Sequence, residues 1–341
     1  MPLRIGINGF GRIGRALARL IWNDDHLKIA AINDTADSAT LAHLLKYDSI
    51  YSKFAGGISL QKDHIILNGS KIRCFHYEKP SSIPWDQAKI DIVIESSGFF
   101  TSRSDASDHL KRGCKAVLIT AASRDADVTI CFGINNDAFD PKKHRIISSA
   151  SCTTHCLAPV LKVIHENFGI KSCFMTTIHS YTTHQSLLDS PNSDLRRSRA
   201  AALSIIPTTT SAIQSIEKVL PYIQGKIVGS SMRVPTPAVS LIDLSVNTDK
   251  RTSIREVNGV LRKASQGDLR GILGYSDEDL VSLDFRGSAC SAILDAQLTS
   301  MIGKDFLKVS AWYDNEWGYC CRLVDTIKLI SRTMKPEGKH E

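Results

Sequence analysis

The chain has 341 residues, of which 43% are hydrophobic and 23% charged, as expected for a packed protein of two or three domains and not for a disordered chain. Its formal charge of +7 comes without any run of five basic residues, so a nucleic-acid-binding role is not indicated. No apolar run approaches the ~20 residues that cross a bilayer, and we expect neither a membrane span nor a secretory signal.

The nine cysteines indicate the compartment. They are odd in number, scattered along the chain and contain no CxxC pair. This usage predicts free thiols in a reducing compartment, hence a cytoplasmic protein, and no zinc or other metal site. Most of these cysteines are expected to be small buried residues.

The first predicted elements form a dinucleotide-binding pattern. A strand over residues 3–8 runs into the glycine-rich sequence GFGRIG, which is followed by helical spacing, a second strand and an acidic residue. Gly9 allows a tight turn, Gly11 allows a pyrophosphate to approach the backbone, and Gly14 lets the helix pack against the sheet. Asp34 is placed to bind a ribose 2′-hydroxyl and to repel a 2′-phosphate, which predicts NAD. The alternative is a glycine-rich turn in another kind of α/β protein.

The pattern continues over the next hundred residues. Hairpins are predicted within residues 56–75 and a helix over 105–112. Further strands are predicted over residues 90–95, 116–120, 128–132 and 145–148. Strands that alternate with helices indicate a doubly wound, largely parallel sheet of α/β class.

A cysteine follows this region at the start of a helix. Cys152 opens a helical stretch that reaches Asn167, and a helix N-terminus lowers the pKa of a thiol. His179 ends a strand predicted over residues 171–179, and a segment without periodicity follows over 180–204. Taken alone, Cys152 is more often a buried cysteine than a nucleophile, and His179 is more often a structural histidine than a catalytic one.

Seven motifs then occur in a fixed order, namely INGFGRIGR, SCTTHC, HSYT, DLRRSRAAA, IIPTTT, MRVPTP and WYDNEWGY. Together they resemble the glyceraldehyde-3-phosphate dehydrogenase family over residues 3–332. The resemblance implies a phosphorylating oxidoreductase that converts D-glyceraldehyde 3-phosphate, phosphate and NAD to 1,3-bisphosphoglycerate and NADH. It implies a Rossmann-type NAD-binding domain over residues 1–150 and 317–341 and an α+β catalytic domain with a mixed, mostly antiparallel sheet over 151–316. A homotetramer is implied as well.

The resemblance also assigns residues. Cys152 is implied as the nucleophile and His179 as its base, together forming a thiolate–imidazolium pair. Contacts to NAD are implied for Gly9, Gly11, Arg12, Ile13, Gly14, Asp34, Thr120 and Asn315. Two anion sites, for the substrate phosphate and for inorganic phosphate, are implied for Ser151, Thr153, Thr182, Arg199, Thr210, Ser211 and Arg233. Arg196 and Arg197 are expected at the surface or at a subunit contact.

Four residues depart from the family pattern, namely His155, His184, Ser190 and Ser211. His184 stands where an acid is common, which predicts a modestly altered KM or pH dependence, and Ser190 is expected to relax discrimination against NADP. Two alternatives stay open: an erythrose-4-phosphate dehydrogenase with the same chemistry, and a non-catalytic binding role on the same fold.

Overall fold

A computed structural model describes residues 2–183 and 185–334, so His184 lies outside the described residues. The chain folds as two compact units. The first is built from residues up to Ala150 and from Cys320 onward, and the second from Ser151–Tyr319. Within the described ranges, no helix is long and apolar enough to cross a bilayer.

The first unit contains a nine-stranded sheet flanked by helices. Its elements in chain order are β1 (Leu3–Asn8), α1 (Arg12–Ile21), β2 (Leu27–Asn33), α2 (Ser38–Lys46), β3 (Ile58–Gln61), β4 (His64–Leu67), β5 (Ser70–Phe75), β6 (Ile92–Glu95), α3 (Arg103–Leu110), β7 (Ala116–Ile119), β8 (Val128–Thr129) and β9 (Ile146–Ser148).

The order of the strands is β3-β4-β5-β2-β1-β6-β7-β9-β8. All pairings from β5 to β8 are parallel, and β3 and β4 extend the sheet as antiparallel hairpins. The chain reverses its direction of winding between β1 and β6, the point at which doubly wound sheets bind ligands. The predicted doubly wound sheet and the hairpins are confirmed.

The second unit contains a mixed sheet. Its elements are α4 (Cys152–Phe168), β10 (Ser172–Ser180), β11 (Ile206–Thr208), α5 (Ala212–Val219), β12 (Ile227–Val234), β13 (Ser240–Asn247), α6 (Ile254–Gln266), β14 (Leu273–Ser276), β15 (Ala292–Ile302), β16 (Phe306–Tyr313) and the start of α7 (Trp317–Met334), which continues in the first unit. The strand order is β11-β12-β10-β13-β16-β15-β14, in which β10–β12 and β14–β15 are parallel and the other pairs antiparallel.

Alternation along β10 decides which of its side chains meet the helices. Cys173, Met175, Thr177 and His179 are buried, and the alternate residue Phe174 is exposed. Because successive side chains of a strand point to opposite faces, Thr177 and His179 share the covered face. Helix α4 packs over this sheet, against β13, β15 and β16.

Some boundaries differ from those predicted. Strand β8 ends at Thr129 and does not reach residue 132, because Asn135 folds back, accepting from the Cys131 N–H and donating to the Thr129 carbonyl. Helix α3 begins two residues earlier than predicted, because the Ser102 hydroxyl caps it by accepting from the Asp105 N–H. Between β10 and β11 the described residues form neither helix nor strand, as predicted.

Candidate active site

The glycine turn connects β1 to α1 in a conformation that side chains would obstruct. Gly9 has φ +85°, and a Cβ built on it would lie 2.5 Å from the Ser97 backbone. A Cβ on Gly14 would lie 2.5 Å from the Gly9 carbonyl oxygen, whereas one on Gly11 would meet no atom within 4 Å. Gly9 and Gly14 are therefore required by packing, and Gly11 faces open space. No side chain caps the N-terminus of α1, so its main-chain N–H groups are suited to an anion such as a pyrophosphate.

Asp34 follows β2 and is tied to the glycine turn. Its carboxylate accepts from the Phe10 N–H at 2.7 Å and from the Ala36 N–H at 3.0 Å. These bonds hold the acid at the carboxyl edge of the sheet, where a ribose would lie. Thr120 follows β7 at the same edge, and its N–H donates to the Glu95 carbonyl at 3.0 Å.

The Arg12 side chain is engaged in an ion pair. Its Nη1 lies 2.5 Å from the Asp48 carboxylate, and this charge helps to lower the pKa of Asp48. The resemblance implies that Arg12 contacts NAD. In the structure, the Arg12 side chain is paired with Asp48.

A buried polar network that the sequence reasoning missed supports this edge. Glu95, at the end of β6, accepts from the Asn8 amide at 2.6 Å, from His109 Nε2 at 2.9 Å and from Ser97. Trp85 Nε1 donates to His109 Nδ1 at 3.0 Å, so His109 carries its hydrogen on Nε2. The carboxylate thereby joins β1, β6 and the loop that faces Gly9.

In the second unit, Cys152 is the first residue of α4. Ser151 caps the helix, its hydroxyl accepting from the Thr154 N–H at 3.1 Å. The partly exposed Cys152 Sγ lies 3.5 Å from His179 Nε2. His179 Nδ1 lies 2.7 Å from the Ser180 carbonyl oxygen. Arg233 Nη1, which can only donate, also lies 2.6 Å from Nδ1, so this atom cannot serve both neighbours at once. With its hydrogen on Nδ1 the ring donates to Ser180 and presents the Nε2 lone pair to the thiol, whereas with its hydrogen on Nε2 the ring accepts from Arg233.

The electrostatic influences on this pair oppose one another. Burial raises the pKa of Cys152, whereas the charge of Arg233 and donors from Thr153 lower it. Burial and Arg233 lower the pKa of His179 to about 3. His179 is therefore neutral near pH 7, and its lowered pKa makes it a weak base there. The thiolate–imidazolium pair implied by the resemblance stays a prediction.

Arginines surround His179, although not all those expected. Arg233 on β12 places Nη1 2.6 Å from His179 Nδ1 and 3.1 Å from the Ser180 carbonyl oxygen. Its Nε is buried without a hydrogen-bond partner among the described residues, as are the hydroxyls of Thr208 and Ser231 on the paired strands β11 and β12. Unpaired buried donors are costly, which indicates that this site is built for an anion.

Arg199, which the resemblance assigns to an anion site, lies exposed. Its side chain is 66% exposed and paired with Asp189 at 3.1 Å. Arg197 is only 19% exposed, and its charge reaches both His179 and Arg233, lowering the pKa of each. The structure thus leaves Arg199 exposed and buries most of the Arg197 side chain, which was expected at the surface or at a subunit contact.

The remaining predicted anion ligands lie at the ends of elements. Thr210 and Ser211 precede α5, and the Thr210 hydroxyl accepts from the Ala212 N–H at 3.2 Å. Thr182 follows β10 and donates its N–H to Gln185. Thr153 is buried on α4, with its hydroxyl 2.9 Å from Tyr313 Oη.

Asn315 is held in one orientation. Its Oδ1 accepts from the hydroxyls of Ser180 at 3.0 Å and Ser240 at 3.4 Å. The amide NH₂ is therefore the group that this residue offers as a donor, which fits a carboxamide oxygen.

Three of the four departures lie within the described residues. His155 is buried in α4, edge-on to Tyr319. Ser190 is exposed and bonded to Ser186, and Ser211 retains a main-chain N–H at the start of α5. None of these contacts tests the predicted effect on selectivity, and His184 lies outside the described residues.

Comparisons with known proteins match both units. Residues 3–103 match the family model "Glyceraldehyde 3-phosphate dehydrogenase, NAD binding domain", and residues 151–315 match "Glyceraldehyde 3-phosphate dehydrogenase, C-terminal domain". The chain is 48% identical over 331 residues to a glyceraldehyde-3-phosphate dehydrogenase of Geobacillus stearothermophilus, covering 97% of this chain and 99% of the relative.

Two further relatives carry the same name. Glyceraldehyde-3-phosphate dehydrogenase 1 of Bacillus subtilis is 46% identical over 332 residues, covering 97% of this chain and 99% of the relative. Glyceraldehyde-3-phosphate dehydrogenase 2 of Trichormus variabilis is 48% identical over 333 residues, covering 96% of this chain and 98% of the relative.

Proposed function

Because the chain belongs to the glyceraldehyde-3-phosphate dehydrogenase family, we propose that it catalyses the NAD-dependent, phosphorylating oxidation of D-glyceraldehyde 3-phosphate to 1,3-bisphosphoglycerate. The observation that carries this proposal is the 3.5 Å approach of Cys152 Sγ to His179 Nε2 at the N-terminus of α4. A thiol beside a base at a helix N-terminus is suited to attack an aldehyde. The first unit supplies NAD binding and the second the substrate chemistry.

In this mechanism, Cys152 and His179 carry the covalent steps. The Sγ–H proton passes to His179 Nε2 as the sulfur bonds to the aldehyde carbon, forming a thiohemiacetal. The Cys152 N–H and His179 stabilise its oxygen. NAD, when bound, supplies the acceptor for the hydride that this carbon loses, and the oxidised carbon remains on Cys152 as a thioester. Phosphate oxygen then bonds to the carbonyl carbon, the C–S bond breaks, and Cys152 is restored.

Cofactor binding is proposed for residues at the carboxyl edge of the first sheet. Main-chain N–H groups of Arg12 and Ile13 would hold the pyrophosphate beside Gly9, Gly11 and Gly14, since α1 has no side-chain cap there. Asp34 would bind the ribose hydroxyls, and Thr120 would lie beside the second ribose. Asn315, with its Oδ1 engaged by two serines, would donate to the nicotinamide carboxamide.

We propose that two phosphates are held around Cys152. Arg233 and Arg197 would bind the substrate phosphate. Thr182, three residues after His179 in the sequence, would contribute to the same site. Support comes from the unpartnered Arg233 Nε and from the charge of Arg197 acting on His179. Inorganic phosphate is proposed to bind residues at the starts of α4 and α5, namely Ser151, Thr153, Thr210 and Ser211.

A homotetramer is proposed on the strength of exposed apolar side chains in the second unit. Five leucine and isoleucine side chains between β10 and β11 are at least 70% exposed, namely Leu187, Leu188, Leu195, Leu203 and Ile205. Such side chains mark protein–protein contacts, and a second copy of the chain fits the family. A monomeric mass in sedimentation would contradict this assignment. A cytoplasmic location is proposed from the nine free thiols.

NADH formation tests the function directly. The purified chain is expected to reduce NAD with glyceraldehyde 3-phosphate only when phosphate is present, and Cys152→Ser is expected to abolish turnover. Erythrose 4-phosphate serves as the competing aldehyde. A higher kcat/KM for erythrose 4-phosphate would favour the alternative dehydrogenase. If neither aldehyde yields NADH, the remaining alternative is a non-catalytic binding role on the same fold.

A further inference from the structure

The buried carboxylate of Glu95 joins three parts of the first unit. Glu95 ends β6 and is 2% exposed. Its Oε1 accepts from the Ser97 N–H at 2.9 Å and from the Ser97 hydroxyl at 2.5 Å. Its Oε2 accepts from the Asn8 amide at 2.6 Å and lies 2.9 Å from His109 Nε2. The carboxylate thus contacts the end of β1, helix α3 and the segment that follows β6.

His109 reaches this carboxylate from α3 as a donor. Trp85 Nε1 lies 3.0 Å from His109 Nδ1. Because an indole N–H can only donate, Nδ1 accepts and the ring carries its hydrogen on Nε2, where it donates to Glu95. Both rings are 0% exposed, so His109 offers no surface to a ligand.

Asn8 also approaches Glu95 as a donor, because its amide orientation is fixed. The Tyr77 N–H donates to Asn33 Oδ1 at 2.9 Å, which turns the Asn33 amide NH₂ toward Asn8 Oδ1 at 2.8 Å. Asn8 Oδ1 is therefore an acceptor, and the Asn8 NH₂ group faces Glu95. All four hydrogen bonds run toward Glu95, which accepts every one of them.

The segment that Glu95 holds packs against the glycine turn. A Cβ on Gly9 would lie 2.5 Å from the N and Cα atoms of Ser97, so the two backbones are in contact. The Ser96 hydroxyl donates to the Gly9 carbonyl oxygen at 2.7 Å, and a Cβ on Gly14 would lie 2.5 Å from this same oxygen. The position of this segment therefore limits the position of Gly9 and, through it, the first turn of α1.

We propose that Glu95 is a positioning residue for the dinucleotide, which holds the segment after β6 where the main-chain N–H groups of α1 can bind a pyrophosphate. A binding site holds its ligand well only when the groups around it keep it in one geometry. Because Glu95 is buried, it acts through Ser97 and Asn8 and not as a ligand. The proposal rests on the proposed NAD site at this edge of the sheet.

Glu95→Gln tests the proposal with almost no change in shape. Glutamine offers one oxygen and an NH₂ group, so in either orientation the NH₂ group faces donors that the carboxylate accepted. We expect the Kd for NAD, measured by calorimetry on the full-length protein, to rise about tenfold. At saturating NAD, kcat should change by about twofold or less, because Cys152 and His179 belong to the second unit.

Hydrogen exchange without NAD gives a second measurement of the same variant. The Gly9 N–H donates to the Asn33 carbonyl and the Phe10 N–H to Asp34. If the segment after β6 loosens, these two N–H groups should exchange about fivefold faster or more. Peptides from β16, analysed by mass spectrometry in the same samples, should exchange at the wild-type rate.

Asp295→Asn is the matched control. Asp295 lies on β15, is 6% exposed and accepts from Trp312 Nε1 at 2.9 Å. The same exchange of a buried carboxylate for an amide, made there in the second unit, is expected to leave the Kd for NAD and the exchange of the glycine turn at their wild-type values.

Two variants of His109 reach Glu95 from the interior. His109→Phe removes a donor to Glu95 and is expected to raise the Kd for NAD about threefold, whereas His109→Gln keeps one donor and one acceptor and is expected to restore most of the affinity. A lost contact to NAD cannot account for this effect, because His109 is fully buried. This pair decides the matter if Glu95→Gln does not fold.

An unchanged Kd for NAD in both Glu95→Gln and His109→Phe would overturn the proposal, as would weaker NAD binding without faster exchange at the glycine turn. A lower kcat at saturating NAD with an unchanged Kd would overturn it as well. If the wild-type protein bound no NAD, the proposed NAD site would fail and the positioning role with it. If the wild type binds NAD and the variants bind it equally well, only the positioning role fails.

Discussion

The cofactor edge of the first unit and the nucleophile site of the second are built in different ways. The first uses the main chain of six consecutive residues, Gly9–Gly14, together with one acid that follows β2. The second uses side chains contributed by α4, β10, β12 and β16. The first and last of these residues in the sequence, Cys152 and Tyr313, are 161 residues apart. A backbone site can be recognised from a short stretch of sequence, whereas a side-chain site depends on how strands pair.

The two regions should also differ in the changes they tolerate. At Gly9 and Gly14 of the glycine turn, the critical property is the absence of a Cβ, because an added carbon atom would collide with backbone. At the nucleophile site, hydrogen bonds such as those from Thr177 to Tyr313 and from Arg233 to Ser180 join different elements, so single-atom changes matter. Substitutions in one region are therefore expected to leave the readout of the other unchanged.

The largest effect is expected from removing the base. His179→Asn should lower kcat by about 10²–10⁴-fold, since it removes the imidazole whose Nε2 lies 3.5 Å from Cys152 Sγ. NAD affinity, measured by protein fluorescence, should remain at the wild-type value. Equal losses in kcat and in NAD affinity would show that the two regions are not independent.

Gly14 and Gly11 are expected to serve different purposes within the turn: Gly14 is needed for packing, and Gly11 for ligand binding. Gly14→Ala places a Cβ 2.5 Å from the Gly9 carbonyl oxygen and should destabilise the fold by about 1–3 kcal/mol. Gly11→Ala meets no atom within 4 Å, so it should leave thermal stability nearly unchanged and weaken NAD binding by about tenfold or more.

Gly259→Ala is the control for both glycine variants. Gly259 lies in α6, and a Cβ there meets no atom within 4 Å. It should raise stability by about 0.5–1 kcal/mol, as expected for a helix interior, without any effect on NAD. If Gly11→Ala lowered thermal stability as much as Gly14→Ala, the distinction between the two glycines would be wrong.

Substitutions of Arg197 and Arg199 are expected to have smaller effects on the activity than the loss of His179. Arg197→Ala should raise the KM for glyceraldehyde 3-phosphate by about 10–100-fold, the loss expected for a charge-assisted hydrogen bond. Arg199→Ala should change KM by about twofold or less, because that side chain is exposed and paired with Asp189. The opposite ranking in steady-state kinetics would restore Arg199 as the anion ligand.

Much of the fold could be predicted because its signals are local. The glycine spacing and alternating elements indicated the doubly wound sheet, and the hairpins over 56–75 followed from short strands with turns between them. Where prediction and structure differ, a hydrogen bond from a nearby side chain to the backbone is responsible. Asn135 ends β8 by taking the hydrogen bonds of Cys131 and Thr129.

The choice among neighbouring arginines shows where sequence reasoning fails. Arg196, Arg197 and Arg199 lie within four residues in a segment without periodicity, so no spacing rule says which one turns inward. Asp189 and Asp194, both in the same segment, pair with Arg199 and Arg197 respectively. Only the path of the backbone decides which of these pairs lies near His179.

The sequence by itself determined the family, the dinucleotide turn, and the presence of a cysteine and a histidine suited to covalent catalysis, because these depend on residue types at short spacings. The tertiary structure alone decided that Asp48 neutralises Arg12, that Arg197 is largely buried whereas Arg199 is exposed, and that Tyr313 joins Thr153 to Thr177. Each of these contacts joins residues brought together by strand pairing, by helix packing or by the path of a loop. Burial then sets their charge states, and burial is a property of the folded chain.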